Sequence, residues 1–328
     1  MRKGKIDLGN LKEIIASYTG VKKSETLLSS SIGEDCCLID LKFLKDDVMF
    51  ISSDPITFTS KDIGKLAVII NTNDIYASGG RGYGIILNIL LPENKTLEDL
   101  KEVMSQIHAE CVVHNLEILG GHTEVTDVVN DIVVSLTIIG TSSKNEIVKT
   151  STSKEGDLIF LTKTLGIEGT TILYKEFKEE LQNLLSEDEK IEIEKFCEML
   201  SIKKECEILK NFKISSMHDV TEGGLMGALF EMSISSQNGF RIFKDKIKIH
   251  NATKKICEHL NKDVYHLISS WNLIFTWEKD QKDIVLKEFE KQNIECSLIG
   301  EIISKGNYFI NDGKDVEKPF DISDSFFK

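Results

Sequence analysis

His218-Asp219-Val220-Thr221-Glu222-Gly223-Gly224 sets an imidazole and two carboxylates just ahead of a glycine pair that opens a helix. Four shorter clusters upstream repeat this mixture of polar groups and flexible backbone: Gly33-Glu34-Asp35, Ser53-Asp54-Pro55, Asn71-Thr72-Asn73-Asp74 and Gly120-Gly121-His122-Thr123-Glu124. One such cluster has an ordinary explanation, because Gly and Asp populate turns for steric reasons. Five, each at the edge of an apolar run, point to a site. Carboxylates beside glycine-rich backbone can hold Mg²⁺ against a polyphosphate while backbone N–H groups approach the phosphate oxygens.

Between the clusters the first half alternates strands and helices. Val48 to Ser52 is a short apolar strand that Asp54-Pro55 is expected to end. Ile63, Leu66, Ala67, Ile70, Asp74 and Ala77 fall near helical spacing, with Gly79-Gly80 as the stop. Gly84 to Leu91 reads as a strand buried on both faces. Thr96 and Asp99 form a capping box that opens a helix with the apolar stripe Leu97, Leu100, Met104, Ile107 and Cys111. Strands follow at Glu117 to Leu119, ending in Gly120-Gly121, and at Ile132 to Ile139. The polar stretch Lys149 to Gly156 marks a junction, giving domains 1–148 and 149–328.

The second half reads as strand Leu158 to Leu161, a helical and highly charged stretch over 176–211 with a capping pair at Ser186 and Glu189, and a helix from Gly223-Gly224 through Met232. Strand Leu273 to Trp277, a helix near 280–292, strands near 297–302 and 307–310, and a turn at Asn311-Asp312-Gly313 complete two α/β domains.

The 328 residues are 41% hydrophobic and 28% charged, the balance of an ordinary soluble globular protein. A net charge of −13 argues against nucleic acid as the main partner but leaves ATP open. No run approaches the roughly 18 to 20 apolar residues that span a bilayer. Met1-Arg2-Lys3-Gly4-Lys5-Ile6-Asp7 lacks the apolar core of a signal peptide, so a cytoplasmic protein without a membrane partner is expected. The seven cysteines include no Cys-x-x-Cys pair, which suggests neither a zinc site nor a disulfide framework. Cys36 and Cys37 are adjacent, and on a strand they would point to opposite faces.

In order and wording, Ser53-Asp54-Pro55, Asp62-Ile63-Gly64-Lys65-Leu66-Ala67 running into Asn73-Asp74-Ile75, and His218 to Gly224 resemble the aminoimidazole-ribonucleotide (AIR) synthetase superfamily. The resemblance runs from Gly33 to about Ile302 and is nearest to the hydrogenase-maturation branch, HypE. It implies a two-domain α/β (α+β) fold. The N-terminal sheet would complete a β-barrel with its twofold mate in a homodimer, beside a C-terminal α/β domain. It further implies ATP and Mg²⁺ as cofactors and phosphoryl transfer to an oxygen of a small-molecule or protein-borne substrate, or of a maturation partner protein.

By the same resemblance Glu34, Asp35, Asp54 and Asp74 look like metal- and phosphate-site residues, with Gly33 and Asn71 beside them. Gly120, Gly121 and Thr123 would line the nucleotide. Relatives usually carry Asp or Glu after this Gly-Gly pair, whereas this chain has His122, a poor Mg²⁺ ligand that can donate to a phosphate or accept a proton. The metal shell then leans on Glu124. His218 and Asp219 are candidate catalytic groups with His122, and Gly223-Gly224 would offer helix N-terminal donors to a phosphate or substrate anion.

Two departures shape the expectation. The sequence reads Asp324-Ser325-Phe326-Phe327-Lys328 where HypE ends in a reactive cysteine, and its last thiol is Cys296, so chemistry on a C-terminal cysteine is not expected. Trp271, where related chains tend to have Gly, is expected to narrow the substrate end. Selenophosphate synthesis is disfavoured because the first 35 residues lack cysteine. A thiamine-phosphate-type kinase and a non-catalytic ATP-binding maturation scaffold are the alternatives. Plain structural roles stand against each site residue: turn or capping carboxylates for Asp35, Asp54 and Asp74, a core histidine for His122, an N-cap for Thr221 and a solvated strand-end lysine for Lys163.

Overall fold

Val48, Phe50, Ser52 and Asp54 alternate with the exposed Met49, Ile51, Ser53 and Pro55, the period-two signature of a strand covered on one side only. The computed structural model describes residues 4–5, 8–29, 36–41, 46–57, 62–196, 201–311, 314–319, 321 and 323–325. Gly33, Glu34 and Asp35 lie outside the described residues, as do Asp312, Gly313, Phe326 and Phe327. The chain divides into two units, Met1–Ile147 and Val148–Lys328.

Unit 1 runs β1 (Gly4–Lys5), α1 (Leu8–Ser17), β2 (Thr26–Leu28), β3 (Leu38–Ile39), β4 (Val48–Ile56), α2 (Ile63–Ala77), β5 (Arg81–Leu91), α3 (Leu97–His114), β6 (Glu117–Val125) and β7 (Val133–Ser142). Its five-stranded sheet has the order β1-β6-β5-β7-β4, with β5 and β6 parallel and the other pairs antiparallel. α2 and α3 cover one face, closing a core of Ile63, Ala67, Ile70, Leu100, Ile107, Leu87, Leu136 and Ile138. The Thr96–Asp99 capping box forms as expected. The sheet is open within one chain.

Three strand expectations need correction. β4 passes through Pro55 to Ile56, because an edge strand tolerates the loss of one ladder bond near its end. β6 continues through Gly120-Gly121 to Val125, since parallel pairing with β5 carries the backbone past the glycines after a bulge between Ile85 and Ile86. β5 is covered on one face only, with Asn88 exposed and Ile86 and Leu90 half-buried on the other.

Unit 2 runs β8 (Leu158–Thr162), α4 (Ile167–Glu176), α5 (Lys178–Leu181), α6 (Glu187–Phe196), α7 (Lys203–Leu209), β9 (Ser216–Asp219) and α8 (Gly224–Ser236). It continues through β10 (Gly239–Phe243), α9 (Asn251–His259), β11 (Leu273–Trp277), α10 (Lys282–Lys291), β12 (Cys296–Ile303), β13 (Asn307–Asn311) and β14 (Lys314–Glu317). The seven-stranded sheet has the order β14-β13-β10-β12-β8-β11-β9, antiparallel except for β10 with β13. β8 and β11 are buried along their whole length, and α8 buries Leu225, Met226, Leu229 and Phe230 against β10 and β12. Among the described residues the charged stretch 176–211 is helical as expected, carried by the three short helices α5, α6 and α7. Cys36 and Cys37 precede β3 and are not on a strand. Among the described residues no helix is long and apolar enough to cross a membrane.

Candidate functional site

α2 and β4 meet through a polar seam inside an otherwise apolar contact. Asn71 is fully buried on α2, and its side-chain oxygen accepts from the Asp54 N–H at 2.9 Å while its amide donates to the Asp54 carbonyl at 3.4 Å and to Ala67 O at 2.9 Å. The carboxamide thus pairs the outward backbone groups of an edge strand as a neighbouring strand would. One helical turn on, Asp74 Oδ2 accepts from Ser52 Oγ at 2.5 Å. Ser52 and Asp54 are two residues apart on the same side of β4, hence about 7 Å apart along the strand. Asp54 and Asp74 therefore share the helix-facing side of β4.

His122 and Glu124 form a second group. His122 Nε2 lies 3.1 Å from Glu124 Oε2, and both side chains are partly exposed. Register places His122 in one row with Asn88, Ser135 and Pro55. That row faces away from α2, and two strands separate β6 from β4, about 14 Å. Within one chain the fold does not bring His122 and Glu124 to Asp54 and Asp74. Among the described residues no three His, Cys, Asp or Glu side chains gather as a metal cluster. Two carboxylates still fit Mg²⁺, which keeps several waters and takes one or two protein carboxylates together with phosphate oxygens.

The glycines differ in purpose. Gly121 has φ of +153°, and a Cβ there would stand 2.0 Å from Leu87 O, so the β5–β6 pairing itself requires glycine. A Cβ on Gly120 meets nothing within 4 Å. Only Gly120 leaves open space at the strand surface. Thr123 follows on β6 and is half-buried.

In unit 2, β9 ends in His218-Asp219 and the chain enters α8 through Gly223-Gly224, both at positive φ. His218 Nε2 is 2.7 Å from Glu231 Oε2, and its Nδ1 is 4.0 Å from Asp219 Oδ1. Asp219 is buried at the end of β9 beside β11. Gly223, not Thr221, is the N-cap, and its N–H donates to Asp324 Oδ2 at 2.9 Å. The Gly224 N–H bonds back to Thr221 O.

Lys163 is not a solvated strand-end lysine. At φ of +56° it turns inward, pairs with buried Glu205 at 2.7 Å and donates to the carbonyls of Ser201 and Trp271. Trp271 is buried, so its indole packs in the interior. Sequence reasoning missed Ser52, Glu168 and Asp324. Ser52 had a signal, its place two residues before Asp54 on one strand face. Glu168 and Asp324 sit in segments without a pattern, and their partners, the Ser270 and Gly223 N–H groups, are distant in sequence.

The family model for the N-terminal domain of AIR synthase related proteins matches residues 33–142, and that for their C-terminal domain matches residues 154–313. A Methanocaldococcus jannaschii protein named for hydrogenase expression and formation is 29% identical over 233 residues, 71% of this chain and 67% of its own. Carbamoyl dehydratase HypE of Escherichia coli is 24% identical over 257 residues, 77% of this chain and 74% of its own. A crystal structure of E. coli HypE superposes with a TM-score of 0.82 at 19% identity, covering 98% of both chains. A crystal structure of HypE in complex with ATP gives 0.73 at 19% identity, covering 87% of both.

Proposed function

This chain belongs to the AIR synthase related family, and on that premise we propose that it is a HypE-like, ATP-dependent enzyme that activates a substrate oxygen by phosphoryl transfer. The observation that carries the reading is the seam in which Asn71 and Ser52 hold Asp54 and Asp74 on one side of β4. A buried amide fixes the Asp54 backbone and a hydroxyl holds the Asp74 carboxylate, so that two carboxylates share one side of a strand, an arrangement that fits a phosphate-linked divalent site. Asp54 and Asp74 would hold Mg²⁺, which when bound offsets the charge of the polyphosphate. The residues themselves supply position and a fixed electrostatic field, the main sources of catalysis in phosphoryl transfer.

The open sheet face supports a homodimer. Met49, Ile51, Ile86 and Ile139 lie together on the side of the sheet away from α2, where a twofold mate would cover them. Such a mate, and not the single chain, is also the natural partner of His122 and Glu124. A cytoplasmic location belongs to the same proposal.

The test is thermal unfolding with Mg-ATP, Mg-ADP and metal alone on wild type and Asp74→Asn. A site filled to about 100 times its dissociation constant adds about 2.7 kcal/mol of stability. The expected result is a rise with Mg-ATP that vanishes in Asp74→Asn, whose melting without ligand stays near that of wild type. An equal rise in both proteins would remove Asp74 from the site. Product analysis then separates activation, which releases free phosphate, from a kinase, which leaves a stable phosphorylated product.

A further inference from the structure

The last turn of α2 is held from two sides. Asp74 and Tyr76 are two residues apart, about 200° around the helix, so they face opposite ways. Toward β4, Asp74 accepts from Ser52. Toward α3, the Tyr76 hydroxyl lies 2.8 Å from His114 Nδ1, and the two rings stack with centroids 5.7 Å apart and planes 28° from parallel. Tyr76 is 5% and His114 4% exposed. Polar groups buried this deeply are costly unless paired, and a paired buried network favours one arrangement of the elements that carry it.

Ile63, Ala67, Ile70, Val103 and Ile107 make much of the same layer apolar. Apolar packing is non-directional, so by itself it resists small rotations of a helix only weakly. Two directional contacts from α3 remove that freedom. Near the start of α2 the Gly64 N–H donates to Gln106 Oε1 at 3.0 Å, and at its end Tyr76 meets His114. Packing at Gly64 leaves no slack, because a Cβ there would stand 2.4 Å from Val103 O. His114 is itself the last residue of α3, and Glu110, one turn back, brings Oε2 to 3.7 Å from its Nε2.

On the reading of Asp54 and Asp74 given above, we propose that Tyr76 and His114 are positioning residues for the carboxylates that hold the metal and its phosphate. Their contact fixes the rotation of the last α2 turn, and thereby where Asp74 stands against Ser52 and Asp54. Neither side chain touches the ligand; each acts through Asp74. A buried polar pair that only stabilises the fold would differ in one respect: its loss would lower the melting temperature and leave ligand affinity unchanged.

Tyr76→Phe, His114→Leu, His114→Asn and the double variant Tyr76→Phe/His114→Leu are melted against Mg-ATP concentration. Tyr76→Phe and His114→Leu should each raise about five-fold the Mg-ATP concentration that gives a rise of fixed size. His114→Asn, whose amide stands near the place of Nδ1, should stay within about two-fold of wild type. The double variant should match the worse single one, because both substitutions remove the same contact. Unchanged affinity in Tyr76→Phe and His114→Leu, whatever their melting temperatures, would overturn the assignment, as would a His114→Asn that recovers nothing. Where His114→Leu does not fold, Tyr76→Phe, which keeps the ring, carries the comparison. If wild type itself gives no response to Mg-ATP, the phosphoryl-transfer reading fails, and hydrogen exchange without ligand decides whether the pair fixes the Asp74 turn. In Tyr76→Phe the Ser78 amide, which donates to Asp74 O, should exchange at least about five-fold faster, with Leu100 at the start of α3 unchanged. A uniform change, or none at Ser78, would sink the idea.

Discussion

Among the described carboxylates, Glu168 carries the clearest pH signature. Its carboxyl rises from an ordinary 4.5 to about 7, chiefly because burial penalises the charged form, with Asp324 and Glu222 adding to it. The folded state thus holds this proton more tightly than the unfolded chain. The associated stability is fully present below about 4.5, is lost as pH rises toward 7, and changes no further above that. The difference amounts to at most about 3 kcal/mol. Glu168→Gln keeps the shape and an acceptor for the Ser270 N–H but cannot ionise. Its melting temperature should therefore lose less than that of wild type between pH 5 and 7.5. Parallel profiles for the two proteins would mean that Glu168 does not hold a proton in that range.

At the scale of elements, the two glycines of β6 make opposite predictions. Gly121→Ala drives a Cβ to 2.0 Å from Leu87 O, so β5 and β6 must part; a loss of about 3 kcal/mol or more is expected, measured by denaturant unfolding. Gly120→Ala meets nothing within 4 Å and should shift stability by less than about 0.5 kcal/mol. If nucleotide approaches this strand, Gly120→Ala should instead weaken Mg-ATP binding. Equal destabilisation by both would contradict the strand register. These positions also show what a sequence can and cannot disclose. Helix α2 and its Gly79-Gly80 stop, the Thr96–Asp99 box and strand β11 were legible, because each is fixed by local periodicity or by a side chain reaching its own backbone. The ends of β4 and β6 were not. Pro55 and Gly120-Gly121 are local stop signals, and pairing with β7 and β5 overrides them. Likewise Asn71 and Asp74 were legible as candidates, but the distance between the Asp54 and His122 groups depends on strand order, which no local motif encodes. The Asp324 contact joins residues 101 apart in sequence and left no trace there at all.

At the scale of the whole molecule, the sheet of unit 1 is amphipathic in a way that a single chain leaves unresolved. Its α2 side is a closed core, whereas Ile51 on the other side is 68% exposed and Met49 42%. Ile51 pairs with Ile139, and Ile138 and Ile139 point to opposite sides of β7, so one isoleucine is core and its neighbour is not. A nearly continuous apolar β5 with one uncovered side makes sense if that side is covered by another copy. Ile51→Asp introduces a charge on that face, at the edge strand β4, on the side away from α2 and from the Asp54 and Asp74 side chains. The expected outcome is a dimer for wild type and a monomer for Ile51→Asp by light scattering at micromolar concentration, with the circular dichroism spectrum unchanged. Because His122 and Glu124 lie on the same face, the monomer should also lose Mg-ATP turnover if a mate completes the site. A wild type that is monomeric would remove the mate from the mechanism and leave Asp54 and Asp74 to act within one chain.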